Sequence, residues 1–436
     1  MPTGVEMQQG NEAGRSVLLV CTRDPRGRMS GRKMVLWTII DSLRALDHRV
    51  TVAFFGPPDA SDKRPTNVAL RFVSLPDPSV AERLRHALRW LVRRDLSLNE
   101  SMYMGHGAEA VLRECASESG ADVVVTDMLR TAPYGALLGL PWIADLDDLL
   151  SQRYWTMADT YSPETNLLGY HRSRLGRAAL RIAGRLMPWV LRREAEVISA
   201  REIAVARLAQ VTSLVSAAES EFLAQLAGVE VRAAPMKVTG PSDWVPIDDR
   251  PLDLVFLGGL DYGPNLRGVL DYDIKVRPLL DSSGFSGLKL HVIGHRPEVL
   301  IEFSDAIVLE GYVDDLDTAM QRFCAMLVPE VPPGGVKTKI IVAALNGTVI
   351  LAHRSALHGM ELTDGLDVLA WESAEDLARL LGALRDRNFD IQSMTRAARN
   401  WAETRYGPDV LVKIWQRNIV DAMSWTPPCD SSDRTL

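Results

Sequence analysis

The most concentrated chemistry in the chain lies in residues 326–352, MLVPEVPPGGVKTKIIVAALNGTVILA. An apolar run ends at Pro329, and Pro332, Pro333, Gly334 and Gly335 break it. From Lys337 to Leu345 the apolar Ile340, Ile341, Ala344 and Leu345 fall at helical spacing, and Asn346-Gly347 stops the helix. Glycines free backbone amides, a helix start carries the positive end of its dipole, and the ammonium groups of Lys337 and Lys339 flank it, so the segment suits a phosphate-like anion. The chain has only eight lysines, so two in one turn are not a by-product of a lysine-rich sequence. The plain alternative is a strand-to-helix connection with solvated lysines.

Two further stretches offer chemistry. Asp145, Asp147 and Asp148 leave the buried run PWIADLDD, where a carboxylate can accept a proton or orient a sugar hydroxyl. Capping of the following LLSQRYW helix is the alternative. Gly31, Arg32 and Lys33 open another predicted helix and could receive a phosphate or another polar ligand, with a tight turn as the simpler reading.

These residues need a scaffold. SVLLVCT (16–22) reads as a buried parallel strand, a helix over about 33–46 carries Met34, Trp37, Ile40 and Leu43, and HRVTVAFFG returns as a second strand. This βαβ opening has Gly27 and Gly31 in its loop but no GxGxxG, which counts against a nicotinamide enzyme. ALRFVSLP, ADVVVTD and PWIADLDD extend the sheet, and QVTSLVSAAESEFL reads as a strand followed by a helix with Ser216 at its N-cap and Glu219 in the capping-box position. In the second half LDLVFLGGL, KLHVIG, IVLEGYV, the run ending at Pro329 and LDVLAW repeat the order. The fold class is therefore α/β, with two Rossmann-like doubly wound domains facing across a cleft. The boundaries are expected at 16–235 for the first domain, 236–251 for a Pro-rich linker and 252–408 for the second domain. A last helix, 409–425, is one that could cross back to the first domain; 1–15 and 426–436 read as disordered tails.

Composition sets limits. A chain of 436 residues with 47% hydrophobic and 24% charged residues is a soluble globular protein of about two domains. A net charge of −7 argues against non-specific nucleic-acid binding as the main task, and no specific nucleic-acid partner is expected. Cys21, Cys115, Cys324 and Cys429 are far apart and show no metal-ligand spacing, which points to a cytoplasmic protein with neither structural metal nor disulfides. No apolar run of about 18 residues occurs. Two segments are arginine-rich and amphipathic. RLRHALRWLVRR (83–94) sets five arginines against Leu84, Leu88, Trp90 and Leu91, and 172–193 has seven arginines and no acid. Both fit helices docking peripherally on an anionic membrane surface, on its inner face, or else solvated faces over an ordinary core.

FLGGLDYGPN (256–265), VIGHRPEV with LEGYVDD (309–315), the Pro/Gly-Lys segment 329–352 and HGMELTDGLDVL (358–369) occur in the order and spacing found in the retaining glycosyltransferases of family 4. The chain resembles that family, of the two-domain GT-B fold, over nearly its whole length. The resemblance implies transfer of a sugar from a nucleoside diphosphate sugar to a lipid-linked, polysaccharide or small-molecule acceptor, without cofactor or metal. Lys337 and Lys339 with Gly334 and Gly335 would stabilise the leaving diphosphate. Gly31, Gly258 and Gly259 would let backbone approach the donor, Tyr312 and Val313 would border the nucleobase, and Met360, Glu361 and Leu362 would line the sugar. Asp147 stands where the family often has a histidine. The family's ribose-binding glutamate position is Val342 and its partner falls on Gly334; an arginine position is Gly259, and a lysine six further on is Asn265. These departures keep two alternatives open: a degenerate member acting as a binding or partner subunit, and another Rossmann-fold nucleotide-dependent enzyme.

Overall fold

The computed structural model describes residues 14–27, 31–58, 69–159, 177–243, 247, 250–296, 301–330 and 336–424. Two compact units divide the chain: Met1–Ala234 with Val412–Leu436, and Pro235–Leu411.

The first unit is built on seven parallel strands: β1 Ser16–Cys21, β2 Arg49–Phe55, β3 Leu70–Leu75, β4 Val123–Asp127, β5 Trp142–Asp145, β6 Val211–Leu214 and β7 Arg232–Ala233. Their order is β3-β2-β1-β4-β5-β6-β7. Every residue of β1 is buried, with Leu18 in register with Thr51 on one side and Val124 on the other. A strand enclosed on both faces must be apolar throughout, which is why it reads as a continuous run without alternation. The helices are α1 Gly31–Ala45, α2 Val80–Val92, α3 Leu98–Ser101, α4 His106–Ser119, α5 Met128–Leu138, α6 Leu150–Asp159, α7 Arg177–Leu208 and α8 Ala217–Ala227. Ser216 caps α8 as expected, its Oγ accepting from the Glu219 amide at 3.4 Å. Leu18, Val20, Val124, Trp142 and Ile198 join sheet and helices in one core.

The second unit has six parallel strands, β8 Leu254–Leu257, β9 Leu290–Ile293, β10 Ile307–Gly311, β11 Ala325–Val328, β12 Val349–His353 and β13 Leu369–Trp371, in the order β10-β9-β8-β11-β12-β13. Its helices are α9 Gly263–Asp271, α10 Arg277–Leu280, α11 Leu316–Met320, α12 Thr338–Leu345, α13 Ala374–Arg385 and α14 Ile391–Tyr406, followed by α15 Pro408–Ser424. Phe256, Tyr272, Leu327, Leu351 and Leu381 form its core. The part of α15 that belongs to the first unit is tied to β7, where Arg232 donates to Asn418 Oδ1 at 3.2 Å and Asp421 Oδ2 at 2.6 Å.

Both sheets reverse their winding once, between β1 and β4 and between β8 and β11. At such a reversal the loops after the two strands run in opposite directions and leave a crevice at their carboxyl ends. The residues with chemistry gather at these two places.

Among the described residues no helix is long and apolar enough to cross a membrane. Cys21, Cys115 and Cys324 are buried, and among the described residues no disulfide forms; Cys429 lies outside them.

Candidate anion-binding site

In the second unit, β8 ends on Phe256 and Leu257, and the chain turns at Gly258 with φ +151°. Gly294, after β9, has the same φ, and a Cβ there would collide with the Gly258 carbonyl. Two strand ends thus approach backbone to backbone, which only glycine permits. Across the reversal, β11 leads through 331–335, which lie outside the described residues and include Gly334 and Gly335, into α12. Six consecutive buried residues, Ile340–Leu345, anchor that helix in the core and fix its first turn. Lys337 is its N-cap and supplies no side-chain cap; Lys339 follows two residues later.

The Lys339 ammonium lies 4.1 Å from the centroid of the buried Phe256 ring and donates to Asn265 Oδ1 at 3.0 Å. Asn265, in the first turn of α9, donates in turn to the Gly259 carbonyl at 3.0 Å. Among the described residues Lys339 has no carboxylate partner. Burial, and after it the field of Lys337, lower its pKa to about 7. Lys339 keeps some accessible surface. An ammonium without a carboxylate partner among the described residues, at a helix start beside a glycine turn, is chemically suited to an anion.

Other expected residues fall around this point with different environments. Tyr312, exposed after β10, stacks on His295 with ring centroids 6.1 Å apart at 24°, and Val313 behind it is partly buried. Gly259 is held close by the Asp261 carboxylate, which a Cβ would strike. Val342 is 8% exposed and sits inside the buried run of α12, its carbonyl accepting from the Asn346 amide. Met360 is buried, and its carbonyl accepts from Trp401 Nε1 at 3.0 Å. Glu361 has φ +53° and pairs with Arg405 at 2.7 Å; Leu362 is partly buried. Of the residues that hold Lys339, Asn265 was marked in sequence only as a family lysine position, and Phe256 only as the start of the same FLGGLDYGPN segment.

The first unit holds a second polar centre at its own reversal. Arg32, in the first turn of α1, is 7% exposed and meets three carboxylates: Asp127 at the end of β4, Asp145 Oδ2 at 3.0 Å and Asp147 Oδ1 at 2.8 Å. The last pair is at ion-pair distance but outside hydrogen-bond alignment. Asp127 also accepts from the Thr22 amide at 2.7 Å and the Thr22 hydroxyl at 2.6 Å, and Asp145 from Ser213 Oγ at 3.1 Å. Burial works against the Arg32 charge, yet the fields of Asp127, Asp147 and Asp145 outweigh it and hold its pKa above the ordinary value. Burial raises Asp145 to about 6, with Arg32 opposing and Asp147 adding to the rise. Met128 and Asp147, just beyond the adjacent strands β4 and β5, both have positive φ, +65° and +68°. Asp147, 20% exposed, is the member of this cluster nearest to solvent.

This centre corrects two expectations. Arg32 and Lys33 are not available cations at the start of α1, since Arg32 is committed to three carboxylates and Lys33 donates to the Arg26 carbonyl. Gly31 is the exposed first residue of the helix, with open space where a Cβ would stand. Asp145 and Asp147 turn to Arg32 and not to capping α6.

Each unit is thus a doubly wound α/β layer with its polar centre at the carboxyl edge of the sheet, which is the class of nucleotide-binding Rossmann-like folds. Solved structures agree with that class. Sucrose-phosphate synthase from Thermosynechococcus elongatus is similar over 93% of this chain and 99% of its own, with a TM-score of 0.62 at 12% identity. HepE from Anabaena, solved with UDP, matches over the same shares with a TM-score of 0.58 at 12% identity. WaaG, a glycosyltransferase involved in lipopolysaccharide biosynthesis, matches over 92% of this chain and 99% of its own, with a TM-score of 0.58 at 15% identity. The fold is therefore the GT-B fold of glycosyltransferases. No family model matches the chain, and no curated protein matches it in sequence.

Proposed function

We propose that this protein transfers a sugar from a nucleoside diphosphate sugar to a hydroxyl-bearing acceptor. The observation that carries the reading is Lys339, a cation held without a carboxylate partner among the described residues, at a helix start beside a glycine turn. In the reaction the bond between the anomeric carbon and the diphosphate oxygen breaks and the acceptor oxygen takes its place on the same face. Lys337 and Lys339 stabilise the charge that develops on the leaving diphosphate, in place of a divalent cation, and Tyr312 borders the base. Asp147 orients the acceptor hydroxyl in the first unit and accepts its proton. The UDP bound by HepE supports a nucleotide in this fold.

Titration calorimetry with UDP-, GDP-, dTDP- and CMP-linked sugars tests the reading. One class is expected to bind and Lys339→Ala to weaken it at least tenfold; binding of none would sink the proposal. A second reading, binding without turnover, is favoured by Val342, an apolar side chain enclosed by the core where the family has a hydrogen-bonding glutamate. Release of free nucleotide from the bound donor, with or without acceptor, decides against it.

We further place the acceptor at an anionic membrane surface, on the strength of α2. Leu84, Leu88 and Leu91 repeat at i, i+4 and i+7 and are 67%, 60% and 50% exposed. At about 100° per residue, Arg85 and Arg89 border this stripe on one side and Arg83 on the other. Trp90, which the sequence groups with these leucines, lies on the opposite side of the helix and is buried, edge-on to Trp189 of α7 at 6.2 Å with Arg193 over both rings. The helix therefore packs through its Trp90 side and turns its most apolar stripe outward, the arrangement of an interfacial helix. Side chains of 172–185 lie outside the described residues, so the second arginine-rich segment contributes only its last turns.

A further inference from the structure

We propose that Asn265 is a positioning residue for anion capture: it holds the Lys339 ammonium over the Phe256 ring at the entrance to α12 and leaves the ligand's phosphate as that cation's ion partner. The proposal rests on the reading of this place as a nucleotide diphosphate site, and adds to it the residue that makes the lysine competent.

The carboxamide works in both directions. Its Nδ2 donates to the Gly259 carbonyl and its Oδ1 accepts from Lys339 Nζ, each at 3.0 Å. The first bond fixes the rotamer, so the second points the acceptor at one place. A Cβ on residue 258 would come within 2.5 Å of Asn265 Nδ2, so Gly258 is required by this side chain as well as by its own φ of +151°. Phe256, 1% exposed, closes the other side with an aromatic face, which attracts an ammonium without neutralising it. An ammonium has three donors, and one is spent on Asn265. The remaining donors suit phosphate oxygens. A carboxylate at 265 would form an internal ion pair and compete with the ligand; a second ammonium there would repel Lys339. The neutral carboxamide alone gives an acceptor with no counter-charge.

The charged group that acts on Lys339 is Lys337 on the same helix; Asp261 and His295, on the loops after β8 and β9, and Glu330 after β11 do not perturb it. With Lys339 already weakened as an ammonium, capture of an anion takes up a proton above neutral pH.

Calorimetry on the full chain with inorganic pyrophosphate and with UDP, from pH 6 to 9, tests the assignment. Wild-type affinity for either probe is expected to fall by about tenfold per unit of pH above about 7. Asn265→Leu removes the acceptor and moves the midpoint of this fall to lower pH. Asn265→Asp supplies a counter-charge, weakens binding at pH 6 at least tenfold and flattens the profile between pH 7 and 9. Wild-type affinity and pH profile in both variants, while Lys339→Ala weakens binding, would overturn the role of Asn265 and leave the donor reading standing. Failure of wild type to bind either probe or any nucleotide sugar would remove both. Should the variants fail to fold, NMR of the wild type decides: a Lys339 ammonium whose NOEs place it against the Asn265 carboxamide and the Phe256 ring upholds the assignment, and one without them overturns it.

Discussion

Two cations at the sheet reversals of this protein have opposite surroundings. Arg32 meets three carboxylates at the β1/β4 reversal, and Lys339 meets none among the described residues at the β8/β11 reversal. The two reversals, with Arg32 on the helix after β1 and Lys339 on the helix after β11, therefore carry an oversupply of negative charge in one case and, among the described residues, none in the other. A guanidinium with a planar fork of five donors can serve several carboxylates at once and stays charged; an ammonium is a point charge that loses its proton when buried. The first arrangement is closed at Asp127 and Asp145 and holds structure together there, with Asp147 its one solvent-facing member. The second presents an ammonium with no carboxylate partner among the described residues, which is what the proposed anion site requires.

That contrast breaks if the two cations respond alike to removal. Arg32→Met leaves three carboxylates without their shared partner, and loss of one side of a buried ion pair costs about 3–5 kcal/mol. Urea unfolding should show this loss in the first unit's transition, and a loss below about 1 kcal/mol would show that the cluster is not closed in the sense argued.

The Asp145 carboxyl sharpens the same point through pH. Its native pKa is raised to about 6 from an unfolded value of 3.8, so between those values the native state binds the extra proton. Stability should therefore fall as pH rises from about 4 to about 6, by roughly 1–3 kcal/mol, and Asp145→Asn should flatten this segment of the profile. A wild-type curve that rises across the window would mean that Arg32 dominates burial.

Lys339 should behave in the opposite manner to Arg32. Its native pKa of about 7 lies below the ordinary lysine value of 10.5, so the unfolded chain holds the proton more tightly. The penalty of burying the charge is full below about 7 and is relieved as pH rises toward 10.5. Lys339→Met, an apolar side chain of similar length over Phe256, should raise stability at pH 6 by on the order of 1 kcal/mol while abolishing nucleotide binding. Denaturation and binding measured on one preparation check both halves.

How far these centres can be read from the sequence depends on what kind of pattern carries them. The parallel strands were legible because burial on both faces writes them as unbroken apolar runs, as in SVLLVC and VVVTD. The lysine helix was legible because Asn346-Gly347 and the buried run Ile340–Leu345 are local. Neither reading of Arg32, an open cation or part of a tight turn, foresaw its carboxylates, because they lie 95, 113 and 115 positions away in sequence and are brought together only by the pairing of β1, β4 and β5. Asn265 was legible only as the place where the family has a lysine, since a carboxamide in a GPN helix start otherwise reads as a turn residue. On α2 the composition was right and the face was wrong: counting Trp90 with Leu84, Leu88 and Leu91 ignores that it lies about 240° around the helix from Leu84.

The smallest effect concerns that helix, and it carries the distinction between closed and open from charges to apolar surface. Trp90 is enclosed by Trp189 and Arg193, while Leu84, Leu88 and Leu91 point outward, so polar replacement of the three leucines removes little packing and should change stability by no more than about 0.5 kcal/mol. Co-sedimentation with vesicles containing anionic lipid should nevertheless fall severalfold in Leu84→Ser/Leu88→Ser/Leu91→Ser, and also on loss of Arg89, Arg93 and Arg94. Vesicles of neutral lipid separate the two contributions, because only the leucine term survives there. A triple variant that sediments like wild type would show that the outward stripe is idle. If the variant instead changes from dimer to monomer in solution, the stripe is covered by a second copy of the chain, and α2 is closed in the same sense as the Arg32 cluster.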